Sequence, residues 1–360
     1  MIHQQQGAEK LSEILNDTFE PLIDAIYDHG GMVVSFTGDA FTALFKSNEK
    51  LKNSIACAIW IQRFIEQNRV VDTLFGRFEI RVKIGIGCGD VEWNILGTEN
   101  HFTYMFRGEA IQDCVAAENF AQSGQIIASL KLADRITPDV VFSFQRRANY
   151  LLITDRTLSI NAPVPRDAQL DHRDSSPFMP RALQQIGNAS EFRKVIVAFI
   201  SFKIPENGST LNNFIKHIIT KVEAAGGFLK DLDFGDKGAM MVLVFGATSS
   251  RDDNLSRAVD FLVKTKQIST SVTWRASVTT DSAYIGFIGQ GERKRLSILG
   301  NVMTLAARIV IITPWDSLWI GPKTSDALRD DHKYRITSTG HYDFKGFDEQ
   351  TEVFRIEANV

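Results

Sequence analysis

A Gly-Asp pair occurs twice in this 360-residue chain, as Gly38-Asp39 and Gly235-Asp236, each time in a tight turn between two short apolar runs. Gly-Asp is favoured in such turns for conformational reasons, so each aspartate, taken alone, reads as a turn residue. Arg293-Lys294-Arg295 is a basic run able to approach a triphosphate, although three adjacent loop cations are more often simply solvated. Arg308 follows Leu305-Ala306-Ala307 on a helical pattern, where a lone cation ordinarily faces water. Gly289-Gln290-Gly291 is not a phosphate-cradling loop, because the chain contains no GxxxxGK[ST]. The histidines, scattered from His3 to His341, show no zinc-ligand spacing. Cys57, Cys88 and Cys114 form no CxxC pair, and their odd number reads as a reducing compartment with small buried thiols.

The bulk composition narrows the field without naming a chemistry. A hydrophobic fraction of 44% and a charged fraction of 23% suit a soluble globular protein. A net charge of -3 gives no general attraction to nucleic acid or acidic membranes. Apolar runs such as Val195–Ile200 are too short to span a bilayer, and the start MIHQQQGAEK has no signal-peptide core. The expected location is cytoplasmic.

The elements that must position these residues follow from periodicity. Leu11, Ile14, Leu15, Phe19, Leu22, Ile23 and Ile26 form one stripe of a long helix, bent near Pro21 and stopped at Gly30-Gly31. Met32–Phe36 and Phe41–Phe45 read as a hairpin around the first Gly-Asp turn. A helix over 51–67, a strand over 80–86, a helix over 109–121 and a strand over 125–129 complete a unit. A similar order recurs: a strand over 195–202, a helix over 211–225, a hairpin over 228–245, a helix over 255–266, a strand over 271–278, a helix over 302–312 and a strand over 317–320. Gly30-Gly31 pairs with Gly226-Gly227, Gly38-Asp39 with Gly235-Asp236, Arg81 with Arg275 and Gly108 with Gly300, at offsets of roughly 192–197 residues. This is a duplication at domain scale, with 1–160 as a first domain, 161–190 as a Pro-rich linker and 191–360 as a second domain. The second copy opens on a strand that the first lacks. An unfilled central strand position would leave backbone groups unpaired and open the core, so the chain reads as a fragment, a misassigned start or a divergent remnant.

Residues 30–45, GGMVVSFTGDAFTALF, resemble the hairpin of class III nucleotidyl cyclases that carries a metal-binding aspartate, and residues 81–87, RVKIGIG, resemble the strand that follows it. Residues 297–308, SILGNVMTLAAR, resemble the strand-to-helix segment that holds a base-contacting hydroxyl and a catalytic arginine. The tandem order is most similar to the soluble, bicarbonate-regulated adenylyl cyclases and their bacterial relatives, over nearly the whole chain. The resemblance implies an α+β fold of two ferredoxin-like cyclase domains in pseudo-symmetric tandem, with ATP bound between them and no nucleic acid or membrane partner.

The implied activity is cyclisation of ATP to cyclic AMP and pyrophosphate, assisted by two Mg2+ or Mn2+ ions. Asp39 matches one of the family's two metal-binding aspartates; the other belongs to the strand absent here. Arg308 matches the arginine that steadies phosphate charge. Thr304 stands where the family usually has a ribose-orienting asparagine. Ser297 supplies the hydroxyl near the base. The hairpin lysine that reads adenine aligns with Asp231 or, if a bulge shifts the register, with its neighbour Lys230. A guanylyl pattern would want a glutamate and a cysteine at these places, so adenine is favoured. Ser35 replaces a lysine of the first hairpin, and Val115 stands where the bicarbonate-regulated group has an arginine, so that regulation is not expected. Activity of the chain as written is expected to be low or nil. The alternative is a degenerate pseudocyclase that binds nucleotide or a partner as a regulatory module.

Overall fold

The computed structural model describes residues 2–359 apart from 38–39, 47–50, 75, 136–141, 156, 160–162, 165–175, 185–190, 236–237, 269–271 and 289–294. The N-terminal half runs α1 (Ile2–Asp28), β1 (Met32–Thr37), β2 (Ala40–Leu44), α2 (Leu51–Gln67), β3 (Val70–Thr73), β4 (Gly76–Glu79) and β5 (Ile84–Ile86). It continues through β6 (Glu92–Thr98), β7 (His101–Arg107), α3 (Glu109–Phe120), β8 (Ile126–Ser129), β9 (Phe144–Arg147), β10 (Tyr150–Ile153) and α4 (Arg181–Gln184). The C-terminal half begins with β11 (Glu191–Phe202), α5 (Gly208–Ala224), β12 (Gly227–Gly235), β13 (Gly238–Phe245) and α6 (Asn254–Gln267). It closes with β14 (Trp274–Ile288), β15 (Arg295–Leu299), α7 (Asn301–Ile312), β16 (Leu318–Ile320), α8 (Pro322–Leu328), β17 (Tyr334–Tyr342) and β18 (Thr351–Ala358). The architecture is mixed α+β.

The C-terminal half is built on one sheet in the order β12-β13-β11-β14-β16-β18-β17, with β15 paired to β14. Its central strand β11 is buried on both faces. Ile196, Ala198, Ile200 and Phe202 join the core under α5 and α6, whereas Val195, Val197 and Phe199 join the core under α7. Such two-sided burial explains why this strand reads as a continuous apolar run rather than an alternating one.

The N-terminal half has, among the described residues, no strand that takes the part of β11. Its hairpin β1–β2 and its sheet β5-β8-β10-β9 are separate sheets, whereas β11 joins the equivalent pieces of the other half by pairing with both β13 and β14. The strand expected over 80–86 is reduced to Ile84–Ile86. In the C-terminal half the matching residues, Trp274 to Ser277, pair with Phe202 to Phe199 of β11. Residues 80–83 have no such partner among the described residues, and their alternating pattern is not realised as a strand.

Helix α1 runs unbroken through Pro21. Phe19, Leu22, Ile23 and Ile26 are buried as the periodicity predicts, but Leu11 is exposed. Gly30 ends the helix with φ of 75°, and Gly226 ends α5 with φ of 85°, the left-handed conformation that glycine adopts without steric cost. The proline-rich segment carries a short helical turn at Ser176–Phe178, where the Phe178 ring packs on Phe102 and Tyr104 of β7.

The two halves meet through a ribbon absent from the sequence-based expectation. Strands β6 and β7 pair antiparallel, and one face of the ribbon lies on α5. Leu96 and Met105 are counted within the main core of the C-terminal half. The Gly97 amide donates to Asn212 Oδ1 at 3.2 Å, and His101 Nδ1 lies 2.7 Å from Glu223 Oε1. In the other direction, α1 packs against β14.

Candidate functional site

Hairpins β1–β2 and β12–β13 share an irregularity that decides what their side chains do. In β12 the register passes from Leu229↔Leu243 to Asp231↔Val242, leaving Lys230 as the extra residue of a bulge. In β1 it passes from Val33↔Ala43 to Ser35↔Thr42, which leaves Val34 in the same role. A bulge interrupts the alternation of a strand and lets adjacent side chains serve one site. Lys230 Nζ therefore reaches Asp231 Oδ2 at 2.7 Å, with the two side chains only 9% and 16% exposed.

Arg295 completes the group. From the first position of β15, its guanidinium donates to Asp231 Oδ1 and to the Phe36 carbonyl of β1, and it lies 5.8 Å from the Phe36 ring centre. One side chain of the C-terminal half thus ties together hairpins from both halves. Burial opposes the charge on Asp231, but Lys230 and Arg295 outweigh that effect and hold its carboxyl below the ordinary carboxylate value. Burial also pushes the Lys230 ammonium down, with Asp231 offsetting part of the shift.

The reading of Arg295 as one of three solvated loop cations is corrected by this arrangement; Arg293 and Lys294 lie outside the described residues. A signal was present in the sequence. Leu296 and Ile298 are buried, so Arg295 and Ser297 share the opposite face of β15. What the sequence did not reveal was the pair of acceptors waiting for the guanidinium.

Ser297 is half-buried and pairs with Gly286. Helix α7 follows after Gly300. Its rotation is set by two buried hydroxyls of β14: Ser277 Oγ donates to the Ala306 carbonyl at 2.7 Å, and Thr279 Oγ1 to that of Val302 at 2.8 Å. Val302, Ala306, Ile309 and Val310 are buried on the side facing the sheet. Thr304 is exposed and Arg308 half-buried; four residues apart, they lie on one face of the helix. Among the described residues Arg308 has no hydrogen-bond or ion-pair partner, and no bond links Thr304 or Arg308 to the Lys230–Asp231–Arg295 group.

The equivalent helix α3 starts after Gly108, whose φ is 130°. A Cβ there would sit 2.5 Å from the Asp90 carbonyl oxygen, so this corner requires glycine. Ser35 is half-buried in β1, and Val115 half-buried on α3. Asp39, the expected metal ligand, lies outside the described residues. Among the described residues no group of three or more His, Cys, Asp or Glu side chains gathers as a metal cluster. The cysteines are free, and burial pushes the Cys57 thiol up to about 12 and the Cys114 thiol up to about 11, as expected of packing residues rather than nucleophiles.

Residues 1–157 match the family of the adenylate and guanylate cyclase catalytic domain. Adenylate cyclase type 10 of Rattus norvegicus is 26% identical over 365 residues, and the alignment covers 87% of this chain, so it runs through both halves. The chain is thus similar to the cyclase catalytic domain over residues 1–157 and to adenylate cyclase type 10 through both halves. The Homo sapiens adenylate cyclase type 10 gives the same identity and coverage. The chain spans 22% of the length of these cyclase relatives. Among solved cyclases, the adenylyl cyclase CyaB from P. aeruginosa is 17% identical with a TM-score of 0.42, covering 48% of this chain and 97% of that one. The guanylate cyclase domain of RhGC from Catenaria anguillulae, in complex with GTP, is 15% identical with a TM-score of 0.41, covering 47% of this chain and all of that one. No helix among the described residues is long and apolar enough to cross a membrane.

Proposed function

We propose that this chain is an adenylyl cyclase-type module of two ferredoxin-like domains, residues 1–160 and 191–360, joined by a linker over 161–190. Its nucleotide cleft lies between the domains, and its turnover is low. The observation that carries this reading is the reach of Arg295. One guanidinium touches both β1 and β12, so the two hairpins that would flank a shared nucleotide are neighbours. The pairing of the β6–β7 ribbon with α5, and of α1 with β14, supports the same pseudo-symmetric arrangement.

In this reading the 3'-oxygen of ATP attacks the α-phosphorus, the bond from that phosphorus to the pyrophosphate oxygen breaks, and the 3'-hydroxyl proton is released. Arg308 has no competing partner among the described residues, so it is available to steady charge on the phosphates. Thr304, one turn earlier, faces the ribose with a hydroxyl shorter than an amide. Ser297 offers a hydroxyl to the base, beside Lys230 and Asp231. Asp39 is the metal ligand that this chain contributes. With one such aspartate, a Mg2+ or Mn2+ ion would be held weakly.

The second reading, a pseudocyclase acting as a nucleotide-binding or regulatory module, is favoured by the Lys230–Asp231 ion pair at 2.7 Å. A lysine already paired offers less to a base. Cyclic AMP formation from ATP with Mn2+ separates the two. If the chain is an enzyme, Arg308→Ala lowers the rate by about a hundredfold or more. A rate untouched by that substitution removes the role of Arg308, and no product from the unaltered chain leaves the pseudocyclase.

A further inference from the structure

The Lys230–Asp231–Arg295 group occupies the place where the proposed reading puts the nucleotide base, and its members already satisfy one another. We infer that Arg295 is a latch: by bridging Asp231 to the Phe36 carbonyl, it holds the two hairpins together and bars nucleotide from the base side of the cleft. This inference rests on the reading of a shared cleft.

Each part of the latch has a physical reason. Arginine presents a planar fork of donors, so a single side chain can serve a carboxylate and a carbonyl at once. Both Asp231 oxygens are taken, one by Arg295 and the other by Lys230. The Arg295 side chain is 30% exposed and that of Asp231 16%, which limits the water able to replace these bonds. The Phe36 ring packs beside the guanidinium and adds a cation–π contact. A purine entering here would exchange charge-assisted bonds for neutral ones, an unfavourable trade at a partly buried site. Nucleotide occupancy and the closed latch are then alternatives, and the population of the open form scales the apparent affinity.

The test titrates the full chain with a methylanthraniloyl ATP analogue and Mg2+, comparing the unaltered protein with Arg295→Ala and Arg295→Lys. Amide hydrogen exchange of β1 and β12 is followed in parallel, and thermal melting checks that each variant is folded. The expected result is that Arg295→Ala binds roughly tenfold or more tightly while amides around Phe36 exchange faster. Arg295→Lys, able to reach only one of the two acceptors, falls between. Should Arg295→Ala bind no tighter than the unaltered chain, while Arg308→Ala weakens binding in both backgrounds, the latch is overturned and the cleft reading stands. Should neither protein bind the analogue although exchange shows the interface opened, both are overturned. If Arg295→Ala does not fold, Arg295→Lys decides alone, and unchanged affinity rejects the latch.

Discussion

The imidazole of His101, on a ribbon of the N-terminal half, lies 2.7 Å from the carboxylate of Glu223 on α5 of the C-terminal half. The ring is only 3% exposed, against 33% for the carboxylate. Removing Glu223 leaves a buried ring nitrogen without its partner, whereas removing both side chains leaves nothing unsatisfied. Glu223→Ala is therefore expected to cost about 1–3 kcal/mol in denaturant unfolding. The Glu223→Ala/His101→Ala double variant should lose less than the sum of its singles. Strict additivity would show that the contact contributes nothing.

Leu96 tests whether the ribbon is structural to the half it visits. Its side chain is 6% exposed inside the core that α5 and α6 cover. Leu96→Ala should destabilise the protein by about 2–5 kcal/mol and speed hydrogen exchange in α5, far away in sequence. Faster exchange confined to the N-terminal half would refute this.

Gly108 and Gly124 make an internal comparison, since both have positive φ, 130° and 82°. A Cβ at Gly108 meets backbone at 2.5 Å, while at Gly124 nothing lies within 4 Å. Gly124→Ala carries only the conformational cost, about 1 kcal/mol. Gly108→Ala adds the clash and should cost clearly more, read as a larger drop in melting temperature. Equal drops would mean that the α3 corner shifts freely.

Asp231 ties stability to pH with a definite sign. Its folded carboxyl is held below the ordinary value of 3.8, so the stability it adds is full above that value and fades as pH falls through the lower folded value. The advantage of the unaltered protein over Asp231→Asn should be constant near neutrality and shrink below about pH 4. Denaturant titrations at several pH values check this, and an advantage that grows on acidification would reverse the assignment.

Several elements were readable because local sequence is enough to specify them. Glycine at 30 and 226 marks two helix ends, since few other residues tolerate φ near 80°. The two hairpins, α7 and β11 were legible from apolar pattern and turn residues. The β6–β7 ribbon was missed because its apolar residues do not mark its buried face: Trp93 and Ile95 are exposed while Leu96 and Met105 are buried, and that buried face answers to α5, more than a hundred residues later in the chain. The shortened β5 has the same origin, since residues 80–83 carry a strand pattern without a strand to pair with.

The candidate site divides along the same line. From the sequence alone came the residue types at 230, 231, 297, 304 and 308, and the possibility of a bulge at Lys230, because these depend on spacing within one strand or one helix. Only the tertiary structure decided that the bulge forms, that Asp231 is taken by Lys230 and Arg295 together, and that Arg295 also holds Phe36. Those bonds join residues up to 259 positions apart. Their strength comes from burial and from the meeting of two halves, and neither is written in any short stretch of the chain.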